Sequence, residues 1–299
     1  MCFSSSPVVS LKKVLFRLKL LYLKMMSNHE QGSFRSLQVS LDDRGVLSVA
    51  LNRPDVRNAF NEVVIDDLAR AFGVNALDAK VKVVVLRGNG PVFCAGGDLN
   101  WMKKAVDFDY SENLSDTRRL AQMFTVLNEC PKPVIGVIQG AAIGGGVGLV
   151  SICDIALATE ETVFSLSEVR LGIVPACIGP FVIAKIGASH ARRFFVSAER
   201  FTAVQAQQVA LIHEVVADTA ALEAKLESML AGILQCGPNA MAVAKKLVLD
   251  LSWPEKRART SDPLEYVAEK LAALRISPEG QEGVKAFLEK RKPNWLTSK

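Results

Sequence analysis

Gly140-Ala-Ala-Ile-Gly144-Gly145-Gly146-Val147-Gly148, with a lone carboxylate further on at Glu168, is the stretch on which the fold turns. It follows the apolar run Val134-Ile-Gly-Val-Ile138. Three adjacent glycines are costly, because glycine loses more backbone entropy on folding than any other residue. Such a cluster marks a place where the backbone must come close to something. Phe93-Cys-Ala-Gly96-Gly97-Asp98 has the same character and also follows an apolar strand. Two readings are open. Either both clusters are tight turns, or two glycine-rich strand exits aim two backbone N–H groups at one oxygen atom, the geometry of an oxyanion hole. In the second reading the donors are Gly97 and Gly145, and a helix starting at Gly145 adds partial positive charge where an enolate would form.

Working outward, residues 45–51 read as a strand closed by Asn-Arg-Pro. Residues 61–72 carry Val64, Ile65, Leu68, Ala69 and Phe72 at helical spacing and stop at Gly73. Residues 82–86 form a β-branched strand ending at Gly88, 115–129 a helix, 134–139 a strand and 145–153 a short helix. Residues 155–158 and 163–166 read as a hairpin of two short strands leading to Glu168. This alternation indicates an α/β domain. After about Ala220 strand signals vanish, and 222–234, 240–251, 263–276 and 278–290 all read as helices. Ser277-Pro278-Glu279 supplies a cap, a proline in the first turn and an acid at the positive dipole end. Such an apolar helical tail is more easily stabilised against another subunit than alone, so oligomerisation is expected there. The division expected is a leader over 1–25, a core over 26–220 and a helical region over 221–299.

The 299 residues are 49% hydrophobic, enough to bury a large core. Of the 36 Lys and Arg, five (Lys12, Lys13, Arg17, Lys19, Lys24) lie in the acid-free first 25 residues, which leaves 31 against 31 acidic residues. The body is therefore neutral and argues against a nucleic-acid partner. In the leader, residues 15–23 are apolar but broken by Arg17 and Lys19, too short and too charged to span a membrane. A mitochondrial transit peptide would also be basic and acid-free, but these charges do not share one helical face. The preferred reading starts the working chain near Met25 or Met26, the leader being disordered or a start-site artefact. Cys2, Cys94, Cys130, Cys153, Cys177 and Cys236 show no Cys-x-x-Cys spacing. They read as small buried hydrophobes in a reducing compartment, here the cytoplasm. His29, His190 and His213 form no ligand motif, so no metal or organic cofactor is expected. The glycine run does not keep the G-x-G-x-x-G register, and no Gly-Lys-Ser/Thr occurs, so neither nucleotide motif survives.

Further motifs stand in order along the chain. They are Leu51-Asn-Arg-Pro54 with Arg57-Asn-Ala59, Cys153-Asp154, Glu168-Val-Arg-Leu-Gly172 with Pro175, and Ala286-Phe-Leu-Glu-Lys-Arg-Lys-Pro-Asn-Trp295. Together with the two glycine clusters, they make residues 51–295 resemble the crotonase (enoyl-CoA hydratase/isomerase) superfamily. The resemblance implies a crotonase-like spiral of repeated β-β-α units with a C-terminal helical trimerisation region. It implies a coenzyme A thioester as substrate and a homotrimer or dimer of trimers. Carried across residue by residue, it makes Gly97 and Gly145 the oxyanion donors and Glu168 the general base and acid. Arg57, Asn58, Ala59, Ala95, Asp98, Leu99 and Asn100 would line the coenzyme A site, and Phe287 and Lys290 would be lent by a neighbouring subunit. Asp98 also reads as a helix cap, and Lys290 as a solvated tail charge.

The departure is Gly148. Hydratases of the best-known type carry a glutamate directly after the glycine run as well as one at the position of Glu168. With one carboxylate, Glu168 does both proton transfers or borrows a partner from Asp109, Glu112 or Asp116. Segments 102–116 and 176–181, read as mobile, are expected to shape the acyl pocket. The finer pattern (Asp98-Leu-Asn-Trp-Met102, Ser167-Glu-Val-Arg-Leu-Gly172, Ala198-Glu-Arg-Phe201) looks like methylglutaconyl-CoA and carboxygeranoyl-CoA hydratase-like members. Their substrates carry a second carboxylate that Lys103 or Lys104 could meet. Hydration of an α,β-unsaturated acyl-CoA is the expected activity. Its close rival is a Δ3,Δ2-enoyl-CoA isomerase, which needs one base only. A rival of another class is a non-catalytic or RNA-binding homologue, which the neutral body opposes.

Overall fold

The computed structural model describes residues 33–253 and 262–296. The leader read over 1–25 lies outside them, as do Cys2 and His29. One sheet takes the strands β1 (Leu37–Leu41), β2 (Val46–Leu51), β3 (Val83–Gly88), β4 (Val134–Ile138), β6 (Ile155–Thr159) and β9 (Glu214–Val216) in that spatial order. β1 runs antiparallel to β2, and every other pairing is parallel. Parallel neighbours need a crossover. Helix α1 (Glu62–Gly73) links β2 to β3, and α2 (Leu99–Val106) with α3 (Tyr110–Asn128) links β3 to β4. Helix α4 (Gly145–Ile152) lies between β4 and β6, and α5 (Gly179–Ser197) and α6 (Ala203–Gln208) between β6 and β9. Helices α7 (Thr219–Ile233), α8 (Pro238–Ser252), α9 (Pro263–Arg275) and α10 (Pro278–Leu288) follow.

A second, smaller sheet holds β5 (Ala141–Ile143), β7 (Val163–Ser165) and β8 (Arg200–Thr202). Two isolated parallel bridges, Phe60↔Gly97 and Cys94↔Ala142, extend it toward the chain start. Each turn of the chain thus gives a long strand to the large sheet, a short strand or single bridge to the small one, and then helix. This is the expected spiral of β-β-α units. The hairpin expected before Glu168 is corrected: β6 pairs with β4 and β9, while β7 pairs with β5 and β8. The turn between them carries the chain from one sheet to the other.

The large sheet is covered on both faces, as parallel sheets are. Alternation in β3 sends Val84 and Leu86 into the main core. Val83 and Val85 point the other way, joining Ile135, Val137 and Leu157 under Leu222, Leu226 and Leu230. Those three leucines belong to α7, so the start of the C-terminal helical region closes the sheet's outer face. Helix α3 begins ahead of the expected 115 because Asp109 and Glu112 form a reciprocal capping box. The 102–116 and 176–181 segments, read as mobile, fall largely in α2, α3 and the start of α5. Cys94, Cys130 and Cys153 are buried as expected, and burial pushes the Cys94 and Cys153 thiols up to about 12. Cys236 is exposed, unlike the expectation for it. Among the described residues no helix is long and apolar enough to cross a membrane.

Candidate active site

β3 and β4 are adjacent and parallel, with Val84 opposite Val134, so both release their chains at the same end of the sheet. The two exits are zipped together. Cys94 donates its N–H to Ala141 O at 3.1 Å, and Ile143 donates its N–H to Cys94 O at 3.0 Å. Phe60 ties in the third strand exit: its N–H reaches Gly96 O at 2.7 Å and its carbonyl accepts from Asp98 at 2.7 Å. The Phe60 ring also lies 3.0 Å from where a Cβ on Gly145 would stand. Amid these bonds the N–H groups of Gly97 and Gly145 have no partner among the described residues. For Gly145 this follows from its place as the first residue of α4, where backbone N–H groups are orphaned. Both residues are half-buried, while Gly96, Gly144 and Gly146 beside them are buried. The turns are tight, and they leave two donors open.

Glycine is required at two positions of this frame. Gly144 has φ 51° and ψ −116°, a left-handed conformation that side chains disfavour. A Cβ on Gly146 would stand 2.6 Å from Cys94 O, too close for any other residue.

Glu168 opens a short 3-10 turn (Glu168–Leu171) directly after β7. Ser165 in β7 accepts the N–H of Gly144 at 2.8 Å, which brings the turn against the start of α4. Glu168 Oε1 lies 3.0 Å from the Cβ position of Gly144. Its Oε2 is buried and has no hydrogen-bond partner among the described residues. Burial raises the Glu168 pKa above the ordinary glutamate value, and no neighbouring charge contributes. One turn along α4, a Cβ on Gly148 would meet Ile178 Cγ2 at 2.3 Å and the Phe124 ring at 2.9 Å. The place where the resemblance puts another glutamate is therefore filled by two buried apolar side chains.

The other residues singled out from the sequence divide into framework and surface. Asp98 is 5% exposed. It caps α2 through bonds from the N–H groups of Asn100 (2.8 Å) and Trp101 (3.4 Å), and it pairs with Arg53 at 2.8 Å. Burial alone would raise its pKa, but Arg53 and the cap bonds outweigh that and hold it below the usual value. Asn58 is buried, and its amide is spent on Arg53 N, Asn89 O and Val92 O. Both side chains thus hold the frame. Arg57, Leu99 and Asn100 are exposed, Ala95 is half-buried and Ala59 is buried. Phe287 and Lys290 are exposed at the end of α10. The chain just beyond is tied by Trp295 O to Lys82 Nζ (3.2 Å), at the opposite end of the sheet from Gly97 and Gly145. Asp109 and Glu112 are used in the capping box, while Asp116 is half-buried. Burial raises the Asp116 pKa against a bond from Trp101. Lys104 Nζ is bound to Glu62 Oε1 at 2.7 Å.

Three residues escaped the sequence reading. Arg53 bonds Ala59 O at 2.7 Å as well as Asp98, so it staples two strand exits together. Its place inside Asn-Arg-Pro was the only signal. Phe60 and Ile178 look in the sequence like any core residue.

The comparisons agree with this fold. Residues 42–298 match the family model described as Enoyl-CoA hydratase/isomerase. The chain is 33% identical over 251 residues to the 2,3-dehydroadipyl-CoA hydratase of Escherichia coli (strain K12), covering 84% of this chain and 94% of that protein. It is 28% identical over 255 residues to a trans-2-decenoyl-[acyl-carrier-protein] isomerase of Streptococcus mutans, covering 85% and 95%. Among solved structures, an enoyl-CoA hydratase from Shewanella pealeana superposes with a TM-score of 0.82 at 36% identity, covering 93% of this chain and 99% of that one. With the spiral in place and two glycine N–H groups open beside a half-buried glutamate, this chain belongs to the enoyl-CoA hydratase/isomerase family.

Proposed function

We propose that this protein hydrates an α,β-unsaturated acyl-CoA thioester, with Glu168 as its one acid–base group. The observation that carries the reading is the buried, unpartnered Oε2 of Glu168 beside the helix start whose first N–H is open. The thioester oxygen sits between the N–H groups of Gly97 and Gly145. Ionised Glu168 takes a proton from water as the water oxygen bonds to Cβ, and the electron pair moves to the thioester oxygen as an enolate. Protonated Glu168 then gives its proton to Cα, so water is added and the carboxylate regenerated. Burial suits both halves: a raised pKa makes the carboxylate a stronger base and leaves its acid form competent near neutrality.

The acyl group we favour is a carboxylated one such as 3-methylglutaconyl-CoA. With Lys104 engaged by Glu62, exposed Lys103 is the cation left in α2 to meet the far carboxylate. No charge neighbours Glu168 itself, so that carboxylate belongs at the rim. We infer a homotrimer or dimer of trimers, in which Phe287 and Lys290 of one copy complete the coenzyme A site of the next. No cofactor beyond the substrate's own coenzyme A enters this scheme.

A second reading has its own observation. Ile178 and Phe124 fill the space beside Gly148, and an isomerase needs only one carboxylate to move a proton from one carbon to another. Incubation with 3-methylglutaconyl-CoA and with crotonyl-CoA, following enoyl-thioester absorbance, separates the two. Rapid loss with the first and little with the second supports hydration of a carboxylated substrate. No loss with either, alongside binding of both esters and proton exchange in deuterated water, moves the assignment to the isomerase.

A further inference from the structure

Glu168 and Ile178 stand at the two ends of one segment, the 3-10 turn and the connection into α5, folded over the glycine face of α4. Gly144 and Gly148 lie one helical turn apart on that face, joined by a 3.2 Å bond from the Gly148 N–H to Gly144 O. Glu168 packs on the first glycine and the Ile178 γ-methyl on the second. Carboxylate and methyl thus pack on two glycines joined by that bond. Phe124 backs the methyl, and its ring packs in turn on Phe60 and Phe181 at 6.0 Å between centroids. The wall is apolar.

Of the charged groups around it, Arg170 and Lys185 are turned elsewhere. Helix α4 has no titratable residue. Arg170, in the same turn as Glu168, donates to Ala198 O at 2.9 Å. Lys185 of α5 donates to Cys153 O at 2.6 Å. Asp116 of α3 faces Trp101 and the Cys177 thiol.

We propose that Ile178, backed by Phe124, is a positioning residue that fixes the proton inventory of the reaction. Its γ-methyl takes up the space beside Gly148 through which a bulk water or another acid would reach Glu168, so one carboxylate carries the proton in both directions. The inference rests on Glu168 being the acid–base group argued above. Under it, water meets Glu168 only from the substrate side, and the Glu168 proton is shielded from bulk exchange while substrate is bound.

The test compares the full chain with Ile178→Val, Ile178→Ala and Ile178→Asn. Hydration of 3-methylglutaconyl-CoA and crotonyl-CoA is measured together with Cα–H exchange in deuterated water, across pH. Valine keeps a branched γ-methyl and is expected to behave as the unaltered chain. Alanine and asparagine admit water to Oε2, so the acid limb of the kcat profile moves down by about one pH unit. The ratio of exchange to hydration rises several-fold. Phe124→Leu, which loosens the backing, moves the same two readouts in the same direction and serves if a change at 178 prevents folding. Folded, active Ala, Asn and Phe124→Leu variants with unaltered pH profile and ratio would overturn the inference and leave Ile178 as packing alone. An unaltered chain that binds both esters but neither hydrates nor exchanges would instead overturn the reading of Glu168, and this one with it.

Discussion

Glu168 sets stability against chemistry in a single side chain. Its folded pKa lies above the ordinary glutamate value because of burial. A carboxyl with a raised folded pKa contributes stability that is fully present below its unfolded pKa and lost as pH rises through the folded one. Glu168→Gln should therefore melt like the unaltered chain in acid and at higher temperature near neutrality, which a pair of thermal melts would read. The same change should lower turnover by roughly 10²–10⁴. A melt gain at acid pH equal to that at neutrality would show that the effect is not ionic. At the rim of the site, Lys103→Ala should raise KM for 3-methylglutaconyl-CoA about two- to fivefold and leave that for crotonyl-CoA unchanged, since only the first carries a far carboxylate to lose an exposed ion pair. An unaltered KM for both, or an equal rise for both, would remove Lys103 from recognition.

The elements differ in how plainly their sequences announced them. Helices α1 and α7 to α10 and strands β2 to β4 were legible because each carries a long periodic pattern or a β-branched run. Strands β5, β7 and β8 have three residues each, and their pairing is dictated by the turn of spiral beside them. The read hairpin failed for that reason, as no local signal says which sheet a short strand will join. Helix α5 was missed because Gly187 sits inside it at φ 74°, breaking the periodicity. Gly97, Gly145 and Glu168 stood out because glycine clusters are costly. Arg53 and Ile178 did not, because their roles arise only when distant strand exits meet.

Three predictions belong to this scale. Gly148→Ala pushes a Cβ to 2.3 Å from Ile178 and should destabilise by about 1–3 kcal/mol, the cost of overpacking a core. Gly232→Ala, in α7 with open space around it, should instead stabilise by about 0.4–1 kcal/mol. Denaturant titration of both checks the contrast, and destabilisation by both would mean that helix geometry, not the Ile178 contact, decides. Asp98→Ala removes the α2 cap and leaves Arg53 without its carboxylate, at a cost of about 1–3 kcal/mol by the same assay.

At the scale of the molecule, the last two helices leave apolar side chains uncovered. Leu264, Ile276, Phe287 and Leu288 of the last two helices and their junction are each more than 70% exposed. Covering them on a second copy fits the proposed trimer, and light scattering at micromolar concentration should return three chains or a multiple of three. A stable monomer would leave Phe287 and Lys290 without the site they are proposed to complete. The spiral itself brings three strand exits to one end of the sheet and lays an apolar wall beside Gly148. The most direct measurement is turnover of Glu168→Gln with 3-methylglutaconyl-CoA in deuterated water, with ester affinity measured on the same sample. Hydration and Cα–H exchange should both fall by roughly 10²–10⁴ while affinity stays within a few-fold. Retention of either activity at near its original rate, with the ester still bound, would show that another group carries the proton.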